Sequence, residues 1–226
     1  TSVQAIELYN QDGVTVDMRG DIEVTYQSDF DHSSMKQEIE DADFGFDVRY
    51  AIDDEFTIGT YWEYNGSDNN NAAITRNGDT YVALYTKSYG SIKFGRLCTA
   101  VDDLGGITSD YQFDVDNLAS SAASDITCGD EAVRYDFDNG SFYTTLGFVQ
   151  DKVYNEKLDN AGVEAGSAGT GTDYFDGRVG YRVNDFDMSV FYASVDKEAA
   201  DSDETGYGAE VNFTGIENVR LGAGYY

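Results

Sequence analysis

Residues 14–26 read VTVDMRGDIEVTY and sort their side chains by parity. Val14, Val16, Met18, Ile22, Val24 and Tyr26 are apolar or aromatic, with Gly20 an interruption in the same register. Between them stand Thr15, Asp17, Arg19, Asp21, Glu23 and Thr25. Successive side chains of a strand point to opposite faces, so this segment is a strand with one oily face and one charged face. Two environments suit it. A soluble sheet would bury the oily face in a protein core, and a membrane barrel would turn it to lipid.

The parity rule extends along the chain. Residues 42–52 place Ala42, Phe44, Phe46, Val48, Tyr50 and Ile52 on one face, opposite Asp43, Asp47 and Arg49. Val133, Tyr135 and Phe137 alternate with Arg134 and Asp136. Phe175, Val179, Tyr181 and Val183 alternate with Asp176, Arg178 and Arg182, and Val219, Leu221, Ala223 and Tyr225 flank Arg220. The pattern predicts about eleven strands, at 14–27, 40–52, 56–65, 79–89, 91–97, 130–138, 141–151, 173–183, 186–195, 205–213 and 218–226. Short acidic turns such as Asp53-Asp54-Glu55 and Asp138-Asn139-Gly140 separate long polar loops at 28–39, 66–78, 98–129, 152–172 and 196–204. Short turns at one end and long loops at the other are the signature of an up-and-down transmembrane barrel. The stretch AGVEAGSAGTGT, residues 161–172, reads as a flexible loop.

Composition agrees. The 226 residues contain no proline, 24 glycines and 14% aromatics, which favours strands. A net charge of −29 argues against a nucleic-acid partner and against electrostatic binding to an anionic membrane surface. It suits a protein that attracts cations. No apolar run approaches the roughly 20 residues of a spanning helix, a test that a barrel escapes because its hydrophobicity is hidden in alternation. No full signal peptide precedes Thr1, so the N-terminus reads as that of a mature chain.

Two features favour lipid for the oily face. Arg19, Arg49, Arg134, Arg178, Arg182 and Arg220 all fall on polar parity, where no lysine clearly does. Aromatics crowd the oily face near strand ends (Tyr26, Tyr50, Trp62, Tyr64, Tyr192, Phe213, Tyr225), as interfacial girdles do. Catalysis has no support in the residues, which offer no nucleophile, base and orienter set. His32 is the only histidine and lies in the polar loop FDHSSMK. Asp29 with Asp31, and Asp102 with Asp103, match no calcium-loop spacing and read as solvated acids. No metal, cofactor or enzymatic activity is implied. Tyr61, Tyr143, Tyr174 and Phe191 carry the parity of the polar face, where they fill volume or form a sugar-stacking track.

With these residues on the page, the chain resembles the general diffusion porins of Gram-negative outer membranes. ELYNQDGVTVDMRG (residues 7–20) is similar to the family's opening strand, FTIGTYWEYNGS (56–67) to its third, and GSIKFGRLCTAVDDLGG (90–106) to its fifth strand running into the long third loop. The resemblance implies an all-β fold, a homotrimer of 16-stranded barrels set in outer-membrane lipid and lipopolysaccharide. It also implies an inward-folded third loop, here at about 98–129, and passive passage of small hydrophilic solutes. Residues 1–226 would then form a single barrel domain of an incomplete chain. Eleven is odd, bacterial single-chain barrels close with an even number, and about five further strands are expected. Carried over by position, Asp102, Asp103, Asp110, Asp114 and Asp116 line the constriction from the third loop. Arg96, Arg19, Arg49, Arg134, Asp21 and Asp43 stand on the pore wall. Arg96 reaches that face only if its strand bulges near Gly95. Asp43 and Asp21 replace basic residues common in the family, and ITSDYQFDVDN (107–117) replaces the usual loop stretch. Inward acids, among them Asp47, Asp176 and Glu210, give an expected cation preference.

Cys98 ends one expected strand and Cys128 precedes its antiparallel neighbour, so the pair is expected to form a disulfide at the base of the third loop, made in the oxidising periplasm. The alternatives to a diffusion channel are a secreted soluble β-domain that binds a ligand and a saccharide-specific porin.

Overall fold

A computed structural model describes residues 5–27, 35–68, 76–104, 128–151, 155–158, 164–167, 172–197 and 202–225. Two compact units divide the chain, Thr1–Ser88 and Tyr89–Tyr226. The first is an antiparallel meander of β1 (Ile6–Gln11), β2 (Val14–Gln27), β3 (Lys36–Ala51), β4 (Phe56–Asp68) and β5 (Arg76–Thr86), each paired with the next. β1 is absent from the expected set. Its cue is the Asp12-Gly13 turn, whose φ angles of 54° and 77° give the two left-handed residues of a tight hairpin. The acidic turn after β3 is a bonded structure rather than a merely solvated one. Asp53 Oδ1 accepts the Glu55 and Phe56 N–H groups at 2.8 and 2.7 Å, and the Glu55 carboxylate accepts the Ser88 N–H and hydroxyl at 2.9 and 3.0 Å.

The second unit holds β6 (Gly90–Cys98), a 3₁₀ turn (Ala100–Asp103), β7 (Cys128–Asp138), β8 (Phe142–Asp151), β9 (Asn155–Leu158), β10 (Glu164–Ser167), β11 (Thr172–Val183), β12 (Phe186–Lys197), β13 (Ser202–Ile216) and β14 (Val219–Tyr225). Antiparallel pairing runs β6–β7–β8–β11–β12–β13–β14. β9 and β10 make a separate hairpin within the long polar loop expected at 152–172, and only β10 falls in the 161–172 stretch expected to be flexible. Four-residue strands show too few alternations to register as a pattern. All eleven expected strands are present with ends shifted by a few residues. Among the described residues β1, β9 and β10 are additional to the eleven, so an odd strand count no longer argues for further strands.

Burial answers the question raised by residues 14–26. Along β11, β12 and β13 it alternates in step with polarity, and in the reverse sense to a soluble sheet. Phe175, Val179, Tyr181, Val190, Tyr192 and Tyr207 are exposed, whereas Asp176, Ser189 and Glu210 are buried. In the first unit Ile22, Phe44, Ile58 and Trp62 are exposed while Asp47 is 2% exposed. Soluble domains rarely leave contiguous apolar surface on this scale in water. The oily face of the opening stretch is its outward one.

The inward face is thickened by a repeated contact. Tyr85 lies over Gly59 of the neighbouring strand, where a Cβ would come within 3.0 Å of the ring, and the Arg49 guanidinium stands over the ring, 4.1 Å from its centroid. Tyr143 covers Gly180 in the same way, with Arg182 at 4.2 Å above it. Glycine on one strand admits the ring, and arginine on the polar face holds it by cation–π attraction.

Candidate functional site: the inward polar face and the seat of the third loop

In the first unit, strand register sets acids against acids. Asp17 lies opposite Asp47 and Asp21 opposite Asp43 across β2 and β3. Like charges directly opposite destabilise a strand pair, and arginines from the same face relieve it. Arg49 grips Asp47 with Nε and Nη2 at 2.9 and 2.8 Å, and Arg19 Nη2 reaches the same carboxylate at 2.9 Å. A nearly dry carboxylate is thus held by two guanidinium groups that keep water contact themselves. Beside them Tyr61 donates its hydroxyl to Glu63 at 2.7 Å.

In the second unit the same kind of face receives another piece of chain. After Cys98 the backbone turns onto the inward side of β7, β8 and β11 and makes the 3₁₀ turn there. Asp176 of β11, 0% exposed, accepts the N–H groups of Ala100 and Val101 at 3.2 and 2.8 Å, and the Tyr174 hydroxyl at 3.1 Å. A carboxylate accepting backbone N–H groups is a charge-assisted hydrogen bond, roughly twice as strong as a neutral one. Gly147 of β8 makes room, since a Cβ there would stand 2.5 Å from Thr99 Cβ and run into the Asp176 carboxylate. Arg134 of β7 grips the chain from a second direction, donating to the Cys98 and Thr99 carbonyls at 3.1 Å each, to Asp103 at 2.7 Å and to Asp136 at 2.9 Å. Arg178 donates to the Asp103 carbonyl at 2.6 Å, to Ser189 at 3.2 Å and to Glu210 at 3.3 Å. Lys93 completes the lattice on Asp136 at 2.9 Å, which corrects the expectation that no lysine stands on the polar face. The disulfide joins Cys98 to Cys128, with their Cα atoms 3.9 Å apart across β6 and β7.

Of the residues singled out in the sequence, Cys98, Cys128, Asp103 and Arg134 converge here. Arg19, Arg49, Asp21 and Asp43 lie on the inward parity of the first unit. Asp110, Asp114 and Asp116 lie outside the described residues, as do Asp29, Asp31 and His32. Arg96 needs a correction. A bulge does follow Gly95, but the register runs from Gly95↔Ala132 to Leu97↔Gly129, so the extra residue belongs to β7. Arg96 therefore keeps the face of Phe94 and pairs with Asp130, away from the inward Lys93 and Leu97. The expected field of inward acids is corrected as well. Asp47, Asp176 and Glu210 are buried and bonded, which makes them fastenings rather than charge exposed to a lumen.

Gly147, Tyr174, Asp176 and Arg178 are the residues that sequence reasoning did not assign to the loop seat. Asp176 and Arg178 were legible as inward groups, and Gly147 as a gap on the inward parity of β8. Nothing local says that Thr99 fills the gap.

Comparison with known proteins bears on all of this. Residues 2–226 match the family model described as Gram-negative porin. Porin-like protein H of Photobacterium profundum is 29% identical over 84% of this chain and 52% of its own length. Outer membrane porin PhoE of Escherichia coli is 27% identical over 96% of this chain and 62% of its own. This chain spans about half the length of the first relatives it matches. Among solved structures, the OmpF of Salmonella typhi, in complex with daunomycin, superposes with a TM-score of 0.69 at 16% identity, over 97% of this chain and 67% of that one. The trimer form of OmpT, an outer membrane protein of Vibrio cholerae, gives 0.54 at 17% identity, over 95% and 77%. At those identities the likeness shows the fold, a transmembrane antiparallel β-barrel.

Proposed function

The chain belongs to the Gram-negative porin family, proteins of the outer membrane, and from that premise we propose that the intact protein forms a water-filled channel for passive diffusion of small hydrophilic solutes. The observation that carries the reading is the inverted burial of the strands, with aromatics and aliphatics outward and an arginine–carboxylate lattice inward. An outward apolar face suits lipid, and an inward charged face suits water. The Asp176 and Arg134 contacts support a third loop that leaves the wall at Cys98 and runs inward from its base. No catalytic step is part of this reading.

The intact assembly is taken to be a homotrimer of single-domain 16-stranded barrels embedded in lipid and lipopolysaccharide. The length of the relatives supports the larger barrel. So does the exposure of every residue of β1 and β14, since uncovered edge strands invite further pairing. A cation preference rests on 43 acidic against 14 basic residues and on Asp17, Asp21 and Asp43, which stand at inward positions. Charge in a narrow aqueous path with low-dielectric walls concentrates counter-ions.

The saccharide-specific alternative has less support. A sugar-stacking track needs open ring faces, and of Tyr61, Tyr143, Tyr174 and Phe191 the last three are buried. Planar-bilayer recording tests the proposal. Stepwise, ohmic conductance with a reversal potential favouring potassium over chloride is expected, more strongly in dilute salt because the Debye length grows from about 10 Å at 0.1 M to about 30 Å at 0.01 M. Absence of conductance steps from folded, inserted protein would overturn the channel, and an anion preference would overturn the selectivity alone.

A further inference from the structure

The base of the third loop brings together three groups able to ligate a metal, one of them, Asp102, expected at the constriction. Cys98 and Cys128 face each other across β6 and β7, and Asp102 reaches back over the bridge from the 3₁₀ turn. A carboxylate oxygen of Asp102 and the two sulfurs all lie within 4.8 Å of one another. Asp103, one residue on, turns instead to Arg134. Cys98 is half-buried and Cys128 and Asp102 are exposed, so reductants and ions in water reach all three.

We propose that reduction of the Cys98–Cys128 bridge turns this corner into a binding site for a thiophilic divalent cation, held by the two thiolates and the Asp102 carboxylate. The chemistry balances with a phosphine and water as co-reactants. The S–S bond takes up two electrons and two protons to give two thiols, and the phosphine becomes its oxide. The cation then displaces both thiol protons as it binds. Two sulfurs and one oxygen suit zinc or cadmium, with water as the fourth ligand, and soft thiolate donors select against magnesium and calcium.

Strand pairing prepares the site. The β6–β7 register sets residues 98 and 128 opposite each other by backbone pairing, with Leu97 and Gly129 paired beside them. Tetrahedral coordination at a Zn–S distance of about 2.3 Å asks the sulfurs to separate to roughly 3.8 Å, which side-chain rotation supplies without moving a strand. Asp102 is brought there by the seat described above, because the hydrogen bonds of Asp176 to Ala100 and Val101 fix the turn that carries it. A bound cation would thus restore the staple that reduction opens.

The probe is cadmium, titrated into the detergent-solubilised protein after phosphine reduction and read by the ultraviolet thiolate-to-cadmium charge-transfer band. Far-ultraviolet circular dichroism monitors the sheet in parallel. One cadmium ion per chain is expected, with no such band in the oxidised protein or in a C98S/C128S variant. Asp102→Asn, which keeps both thiols, is expected to weaken binding about tenfold or more, the scale on which partners of a metal site act. Equal affinity in Asp102→Asn would overturn the three-ligand site. A reduced wild-type protein with an intact sheet and no saturable band would overturn it outright. Loss of the sheet on reduction would do the same, since the site requires the β6–β7 register to outlast the bond.

Discussion

Asp47 in the first unit and Asp176 in the second are both buried acids at inward strand positions, and their partners differ in kind. Asp47 is held by Arg19 and Arg49, side chains that are 43% and 36% exposed and come from its own and the adjacent strand. Asp176 is held by backbone N–H groups of Ala100 and Val101, some 75 residues away in sequence. The first arrangement steadies a wall against its own charge. The second fastens a separate segment to the wall. One parity rule places both acids, and only the partner reveals which task each performs. Guanidinium groups with water contact can rehydrate if the acid is lost, whereas buried N–H groups cannot, so the two sites should respond unequally to the same change.

The largest expected effect falls on the second unit alone. Opening the bridge with C98S/C128S removes a closed loop of 30 residues, and chain entropy puts the cost at about 3–4 kcal/mol. The unfolding midpoint in denaturant measures it, and current noise in a bilayer should rise as the loop base loosens. An unchanged midpoint and unchanged noise would mean that Asp176 and Arg134 hold the loop without help. Next comes Gly147→Ala. Its Cβ meets Thr99 and Asp176, neither of which can swing aside without releasing the turn, and overpacking of this kind costs about 1–3 kcal/mol. Gly59→Ala in the first unit meets the Tyr85 ring and the Val48 carbonyl, both at 3.0 Å, longer than the Asp176 and Thr99 contacts at Gly147, and should cost less. Parallel denaturant titrations rank the two, and a larger loss at Gly59 would reverse the assignment of rigid seat and yielding wall.

The acids themselves sharpen the contrast. Asp176→Ala strands the buried Ala100 N–H, at about 1–3 kcal/mol for an unsatisfied donor, and loosens the part-buried Val101 beside it. Asp47→Ala leaves two guanidinium groups that water can reach, and the loss should stay near or below about 1 kcal/mol. Equal losses would show that Arg19 and Arg49 are less hydratable than their exposure indicates. The smallest effect is expected at Asp21 and Asp43. Neutralising both with asparagine should leave stability nearly unchanged and lower the potassium preference in a salt-gradient reversal potential, while Asp47→Asn should not move it. A shift confined to Asp47→Asn would place the effective charge at the fastening instead of along the wall.

The fold was legible because each strand advertises itself. Alternation in residues 14–26 or 173–183 is a local property, and the inverted burial merely says which environment receives each face. β1 escaped because Ile6–Gln11 is short and mixes Glu7, Tyr9 and Asn10 without a clean period. Its turn, Asp12-Gly13, was the better clue. The disulfide was legible because two expected strands placed both cysteines at one corner. The loop seat was not legible, because Gly147, Thr99 and Asp176 meet only once the chain after Cys98 has folded back, and no residue among them announces the others. Arg96 misled for a related reason. A bulge near Gly95 was foreseen, but its effect depends on which strand carries the extra residue, and β7 carries it.

The central claim is that the oily faces meet lipid, and Trp62 tests it without any mutation. It is the only tryptophan in the chain, 48% exposed on the outward face of β4 against Tyr64, with ring centroids 4.9 Å apart. The measurement is its fluorescence in proteoliposomes, quenched either by brominated lipid acyl chains or by aqueous iodide. Strong quenching by the brominated lipid with little response to iodide is the predicted result. Quenching by iodide with no response to the brominated lipid would put that face in water and contradict the account.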